Sequence, residues 1–253
     1  MNIRRTLALI GLLLVSDVVN AAMTISGTRI IFPGNQKEQI VRTNNKGNKP
    51  ALVQVWVDDG STNKNINEMK VPFLATPPVY RVEPARGQSV RLIYNGITLP
   101  QDRESVYWFN MMEIPTVNKD KQDTPRLELA FNTRIKIFYR PESLTSSSAH
   151  EFTKLTWELY KQGQGITVGN PTPYYFSFES GYVLTGSSKK DLKTEMIPPY
   201  SSRIFTLDKN SGVIGKAAES HLRLLNDFGA ATEIVLKYKN NMPVVEAAEE
   251  KAD

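Results

Sequence analysis

The sequence has 253 residues and contains no cysteine. Disulfide bonds and thiolate metal sites therefore cannot contribute to its stability. Only two histidines are present, His150 and His221, and neither has the spacing of a recognisable metal site. Without cross-links, a folded chain must be stabilised mainly by burial of apolar side chains.

The sequence also lacks the usual signatures of an active site. It has no Gly-x-Ser-x-Gly nucleophile elbow. The segment GQGITVG (163–169) has neither the spacing nor the strand–turn–helix context of a phosphate loop. Asp58 and Asp59 lie in a segment rich in Gly and Asn, where turn formation explains them. We therefore predict a protein that is not an enzyme and that uses no metal and no cofactor.

The excess of basic over acidic residues is also small. The chain has 31 Lys and Arg against 26 Asp and Glu, a net charge of +5. The basic residues are scattered along the chain and do not alternate with aromatic residues, as a nucleic-acid-binding stripe would. We therefore expect no nucleic-acid partner.

Long apolar runs are limited to one segment near the N-terminus. Arg4 and Arg5 precede the run TLALIGLLLV (6–15), and the small-residue sequence Val19–Asn20–Ala21 follows it. The run is too short to span a bilayer but has the order of a secretory signal peptide. We predict that residues 1–21 are removed and that the mature protein is exported without membrane insertion.

Most of the remaining sequence has the alternation or the β-branched runs of strands, separated by turn residues. Seven such segments precede residue 141, and six follow residue 151. Their length and spacing predict an all-β fold in which an immunoglobulin-like sandwich is followed by a second, shorter all-β domain. The predicted division is an N-terminal domain at 22–141, a Ser-rich linker at 142–150, a C-terminal domain at 151–240 and a frayed acidic tail at 241–253.

The segment LELAFNTRIKIFYRP (127–141) is unusual among these strands because it is more than twice the usual strand length of about 5–6 residues. Its alternation puts Leu127, Leu129 and Phe131 on one face. These side chains either fill the core of the protein itself or cover the open core of a partner. Periodicity alone favours the first interpretation.

Six motifs in order give the sequence a resemblance to the periplasmic pilus assembly chaperones of the chaperone–usher pathway, the family of the P-pilus and type 1 pilus chaperones. They are GTRIIFP (27–33), ATPPV (75–79), LPQDRESVYWFN (99–110), RIKIFYRP (134–141), NPTPYY (170–175) and LNDFGA (225–230). The short segment before the long strand resembles the subfamily with a short loop at this place. The resemblance implies two immunoglobulin-like domains in a boomerang arrangement, and a chaperone that binds, folds and caps pilus subunits and delivers them to an outer-membrane usher.

The same resemblance implies roles for particular residues. Arg29 and Lys136 match the two basic residues that anchor the C-terminal carboxylate of a subunit, whereas Arg134, on the same face as Lys136, does not match. Leu127, Leu129 and Phe131 match the strand that the chaperone lends to the subunit. Glu104, Arg140 and Asp227 match an ionic network between the domains.

An alternative interpretation is that the chain is itself a structural pilus subunit or an adhesin-like sandwich. A subunit would carry a single pilin domain, an N-terminal donor extension and often a disulfide, which two domains without cysteine do not match. For a chaperone, an uncovered donor strand would also allow self-capping homodimers.

Overall fold

The computed structural model describes residues 23–61, 69–115, 130–208, 212–215, 218–240 and 242–250. Residues 247–250 are described by their backbone alone. Strands dominate these ranges, which contain one short α-helix and two short 3-10 helices. The strands form three sheets. The predicted all-β class is therefore confirmed.

The N-terminal strands form two sheets that face each other. The strands are β1 (Met23–Ile25), β2 (Arg29–Pro33), β3 (Glu38–Asn45), β4 (Ala51–Asp58), β5 (Phe73–Thr76), β6 (Val79–Val82), β7 (Gly87–Tyr94), β8 (Ser105–Ile114) and β9 (Phe131–Arg140). One sheet has the order β1-β3-β7-β5 and the other has the order β2-β9-β8-β4-β6. Their inner faces share a single apolar core, as expected of a β-sandwich.

Alternation along the strands explains how this core forms. In β4, Ala51, Val53, Val55 and Val57 are buried while the residues between them are at least partly exposed. A period of two is the geometry of a strand with one buried face. Branched side chains such as valine favour strands, so propensity and pattern specify the same structure here.

The C-terminal part forms one larger sheet with its own core. A helix, α1 (Ser148–Glu151), and a 3-10 turn (Phe152–Lys154) lead into it. The strands are β10 (Thr156–Tyr160), β11 (Gly165–Asn170), β12 (Ser177–Thr185), β13 (Ser188–Lys193), β14 (Ser201–Leu207), β15 (Glu219–Leu225), β16 (Ala231–Lys239) and β17 (Met242–Glu250), and a second 3-10 turn (Lys161–Gly163) separates β10 from β11. The sheet order is β10-β11-β14-β13-β12-β15-β16-β17. Because β10 also lies near β17, the sheet folds around its apolar residues.

The structure differs from the sequence prediction at the acidic tail. We expected residues 241–253 to be frayed, but β17 pairs antiparallel with β16 over most of this segment. Val244 and Val245 have high strand propensity, and the outer edge of β16 offers unpaired backbone groups to them. Lys237 of β16 also pairs with Glu246 at 2.5 Å, so one of the acidic residues is matched by a cation.

Two phenylalanines of the β8–β9 pair allow a test of the fold. Phe109 is fully buried, whereas Phe131 on the adjacent strand is 58% exposed. We predict that Phe109→Ala lowers the free energy of unfolding by about 3–5 kcal/mol, because it leaves a cavity in the core. Phe131→Ala should change it by less than about 0.5 kcal/mol. Urea unfolding of both variants measures this, and equal losses would contradict the assignment of Phe131 to the surface.

Candidate functional site

The candidate site begins with two basic residues that adjacent strands bring side by side. Strand β2 runs parallel to β9, and Arg29 is the direct register partner of Lys136. The alternation of β9 directs its even-numbered residues, including Lys136 and Phe138, away from the N-terminal core. Phe138 packs against Tyr175 of the C-terminal part, with ring centroids 5.7 Å apart. The two cations therefore lie where the two domains meet, in a region we call the basic cleft.

The guanidinium of Arg29 is only partly satisfied. Its Nη1 donates to the carbonyl oxygen of Leu225 at 3.3 Å. Its Nε is buried and has no hydrogen-bond partner among the described residues. Burial lowers the pKa of Arg29, and the negative charge of Asp227 offsets part of this effect. A buried donor without a partner is costly, so this position favours an additional acceptor.

Lys136 has a similar environment. It is half-buried, and its pKa is lowered first by burial and then by the positive charge of Arg29. Within the described part of the chain it has no salt bridge or side-chain hydrogen bond. Two neighbouring cations that are both partly desolvated form a site suited to an anion, and a carboxylate can accept charge-assisted hydrogen bonds from both.

A network centred on Arg140 holds the two domains together beside this cleft. Its Nε donates to Glu104 Oε1 at 2.8 Å, and its Nη1 and Nη2 donate to the two carboxylate oxygens of Asp227 at 2.7 and 2.9 Å. Glu104 lies on the N-terminal side and Asp227 lies in the turn between β15 and β16. The structure thus brings together the three residues predicted for the interdomain network, and one guanidinium bridges both domains.

The burial of Glu104 explains why this carboxylate depends on its ion pair with Arg140. Glu104 is only 3% exposed, and its Oε2 accepts from the backbone N–H of Tyr175 at 2.8 Å. Burial raises the pKa of Glu104, and the charge of Arg140 opposes this shift. Burial also acts against the charge of Arg140, but its hydrogen bonds and its attraction to both carboxylates outweigh burial and raise its pKa.

The side chains of β9 are exposed at the start of the strand and mostly buried toward its end. Phe131 and Thr133 are exposed, whereas Ile135, Ile137 and Tyr139 on the same face are buried in the N-terminal core. Strand β8 pairs with β9 from Phe131 to Tyr139, but β2 pairs with it only from Lys136 onward. Among the described residues, the other backbone edge of 131–135 therefore has no neighbouring strand. Leu127 and Leu129, the other predicted donor residues, lie outside the described residues.

Arg134 has a different role from Lys136, although both project from the same face of β9. Its guanidinium forms an ion pair with Asp58 and lies 4.8 Å from the ring centroid of Trp108. Asp58 also accepts from the N–H of Gly60 and from Asn110 Nδ2, at 2.8 and 2.7 Å. The sequence interpretation of Asp58 as a turn residue was therefore incomplete, because no local pattern indicates a partner that is distant in the chain.

Two other kinds of feature are absent from the described ranges. These ranges include no group of His, Asp and Glu side chains that could hold a metal ion. None of the helices within them has the length and apolar character needed to cross a bilayer. The basic cleft and the uncovered edge of β9 are thus the features of this part of the chain that we relate to function.

Comparison with known proteins identifies two matching family models. Residues 22–145 match the N-terminal domain of the PapD pili and flagellar-assembly chaperones, and residues 150–235 match the C-terminal domain of the PapD pili assembly chaperones. Since both models describe assembly chaperones, the alternative interpretation as a pilus subunit is not supported. The prediction that the protein is not an enzyme is confirmed by the same matches.

Individual relatives agree with the family models. The probable fimbrial chaperone YadV of Escherichia coli K12 is 43% identical over 225 residues, covering 84% of this chain and 88% of the relative. The chaperone protein FimB/FhaD of Bordetella pertussis is 35% identical, covering 86% and 88%. The crystal structure of the YadV chaperone has a TM-score of 0.70 at 38% identity, covering 90% of this chain and 100% of that structure.

The Arg140 network leads to a prediction for stability. We expect Arg140→Ala to lower the free energy of unfolding by about 3–5 kcal/mol near neutral pH, because it leaves the buried carboxylate of Glu104 without its cation. The matched control Arg81→Ala removes an exposed ion pair with Glu83 and should cost at most about 1 kcal/mol. Urea unfolding of both variants provides the comparison.

The effect of Arg140→Ala should also depend on pH. Without Arg140, the pKa of Glu104 rises further above 4.5. A carboxyl with a raised pKa binds its proton more tightly when folded, so the destabilisation should shrink as the pH falls toward 4.5. Adding Glu104→Gln to the variant should recover part of the stability at neutral pH. A loss independent of pH that Glu104→Gln does not relieve would contradict this account.

Proposed function

The chain belongs to the pili assembly chaperone family, and we propose that it binds pilus subunits in the periplasm by lending them strand β9. In this proposal the chaperone caps the interactive surface of each subunit and delivers it to an outer-membrane usher. The observation that carries the proposal is the combination of two partly desolvated cations with an uncovered strand edge directly before them on β9.

The basic cleft supplies the anchor. The C-terminal carboxylate of a subunit is an anion at the end of a chain, so it can enter a cleft that a side-chain carboxylate within a strand would reach less easily. Arg29 offers an unpartnered Nε and Lys136 offers an ammonium group. Binding of a carboxylate would satisfy both and would raise the lowered pKa of Lys136 by adding an opposite charge.

The uncovered edge of β9 supplies the strand. An exposed edge with apolar side chains is a template for pairing with another chain. A subunit strand added along 131–135 would satisfy these backbone groups, and the mode of recognition is strand addition. Phe131, and Leu127 and Leu129 if the alternation continues, would enter the open core of the subunit. Burial of each such side chain contributes about 1.5–3 kcal/mol before ordering costs.

The spacing of these two features sets a register. Lys136 lies five positions after Phe131, which is about 17 Å at roughly 3.3 Å per strand residue. A subunit anchored by its carboxylate is thereby fixed along β9, and a slip of one residue would move every side chain to the wrong face. The anchor therefore acts on specificity as well as on affinity.

The anchor leads to a prediction about subunit capture. We expect Arg29→Ala and Lys136→Met each to abolish recovery of a co-expressed cognate subunit, because the carboxylate loses one of its two cations. Lys136→Met should be no less stable than the wild type at neutral pH. The lowered pKa of Lys136 means that its charge disfavours the folded state there, a cost that disappears only as the pH rises toward 10.5.

The measurement is co-purification of the subunit from periplasmic extracts, with circular dichroism to confirm folding. The matched control is Arg91→Ala, which removes an exposed arginine of β7 that pairs with Glu38 far from the cleft. Normal subunit recovery by both cleft variants would refute the anchor, whereas a loss with Arg91→Ala would show that any reduction of positive charge suffices.

The donor strand leads to a separate prediction. We expect Phe131→Glu to prevent subunit capture, because a carboxylate would have to enter an apolar groove without a partner. Phe131→Leu should retain capture, since it keeps an apolar side chain. Both variants should fold normally because the position is exposed. Equal affinities of the two variants for the subunit would show that Phe131 stays in solvent in the complex.

A further inference from the structure

Phe228 is the most exposed of the large hydrophobic residues in the described part of the chain, at 90%. Single exposed apolar residues are common on protein surfaces and need no explanation by themselves. The position of Phe228 is more informative than its exposure, because it directly follows Asp227 in the turn that reaches Arg140.

The turn that carries Phe228 is held in one conformation. The side-chain oxygen of Asn226 accepts from the backbone N–H groups of Phe228 and Ala230, both at 3.0 Å. The backbone of Asn226 and Ala230 closes the turn with a bond of 2.9 Å, and Gly229 adopts a positive φ of 86°. Arg140 then fixes Asp227 through two hydrogen bonds. Because the backbone of the turn is already ordered, it loses little conformational entropy when Phe228 contacts a partner.

The same turn is joined to the basic cleft. A Cβ on Gly229 would lie 2.2 Å from Thr28 Oγ1, so only glycine permits this close approach to the residue before Arg29. The strand entering the turn ends at Leu225, whose carbonyl oxygen accepts from Arg29. The charge of Asp227 also acts on Arg29. The turn that carries Phe228 therefore lies beside Arg29, one of the two cations that we assign to the anchor.

We propose that Phe228 packs against the side chain of the last residues of a bound subunit and selects for a large apolar or aromatic group there. This inference rests on the proposed carboxylate anchor, because the anchor brings the end of the subunit to this turn. The cations would bind the carboxylate, and Phe228 would cover the side chain next to it. Aromatic pairs gain energy beyond the burial of their area, so tyrosine or phenylalanine at the subunit end fits best.

The test uses the full-length mature chaperone and three fluorescently labelled synthetic peptides. Each peptide has valine at every second position, so that it can pair as a strand with the free edge of β9. One peptide ends in tyrosine with a free carboxylate, one ends in alanine with a free carboxylate, and one ends in tyrosine amide. Fluorescence anisotropy gives the affinity of each. The variants are Phe228→Ala, Phe228→Leu and the control Met242→Ala, which removes an exposed apolar side chain on β17.

The wild type should bind the tyrosine acid about tenfold more tightly than the alanine acid, because Phe228 would cover the tyrosine ring. A tenfold change in Kd corresponds to about 1.4 kcal/mol. Phe228→Ala should remove this difference, Phe228→Leu should keep part of it, and Met242→Ala should keep all of it. An unchanged preference for tyrosine in Phe228→Ala would overturn the role of Phe228. Preference for the acid over the amide reports the anchor separately, so equal binding of these two peptides would refute the anchor instead.

Discussion

The bridge that Arg140 makes between Glu104 and Asp227 is the interaction on which the rest of the site depends. One guanidinium binds a buried carboxylate of the N-terminal domain and a carboxylate in a turn of the C-terminal domain. Desolvation offsets much of the attraction in such a buried network. Its main effect is therefore geometric, because it holds the β15–β16 turn against the strands that carry the two cations of the cleft.

Strand β9 is shared between two tasks because its two faces and its two ends have different neighbours. From Ile135 onward, odd-numbered side chains fill the core and even-numbered ones face the cleft. Before Ile135, the side chains of Phe131 and Thr133 lie on the same face but are exposed, because they lie beyond the edge of the core. The proposed subunit groove continues this apolar face, so a bound subunit would extend the core of the chaperone. Within the described residues, the change occurs between Thr133 and Ile135.

Alternation and residue type predicted much of this arrangement, and tertiary contacts explain what they missed. The all-β class follows from local periodicity. The motifs singled out Arg29, Lys136 and the three residues of the Arg140 network, and the structure places these residues close together. The pairing of Arg134 with Asp58 depends on residues far apart in the chain, which no local pattern encodes. The pairing of β17 was missed for a similar reason, since acidic composition indicated a frayed tail while the open edge of β16 is visible only in the fold.

The basic cleft is a place where stability and the proposed function oppose each other. Burial lowers the pKa of both Arg29 and Lys136, so the free protein holds two charges in surroundings that disfavour them. A protein selected for stability alone would replace at least one of them with an apolar residue. Retaining both is understandable if a carboxylate binds there, because the unfavourable environment of each cation then becomes part of the free energy of binding.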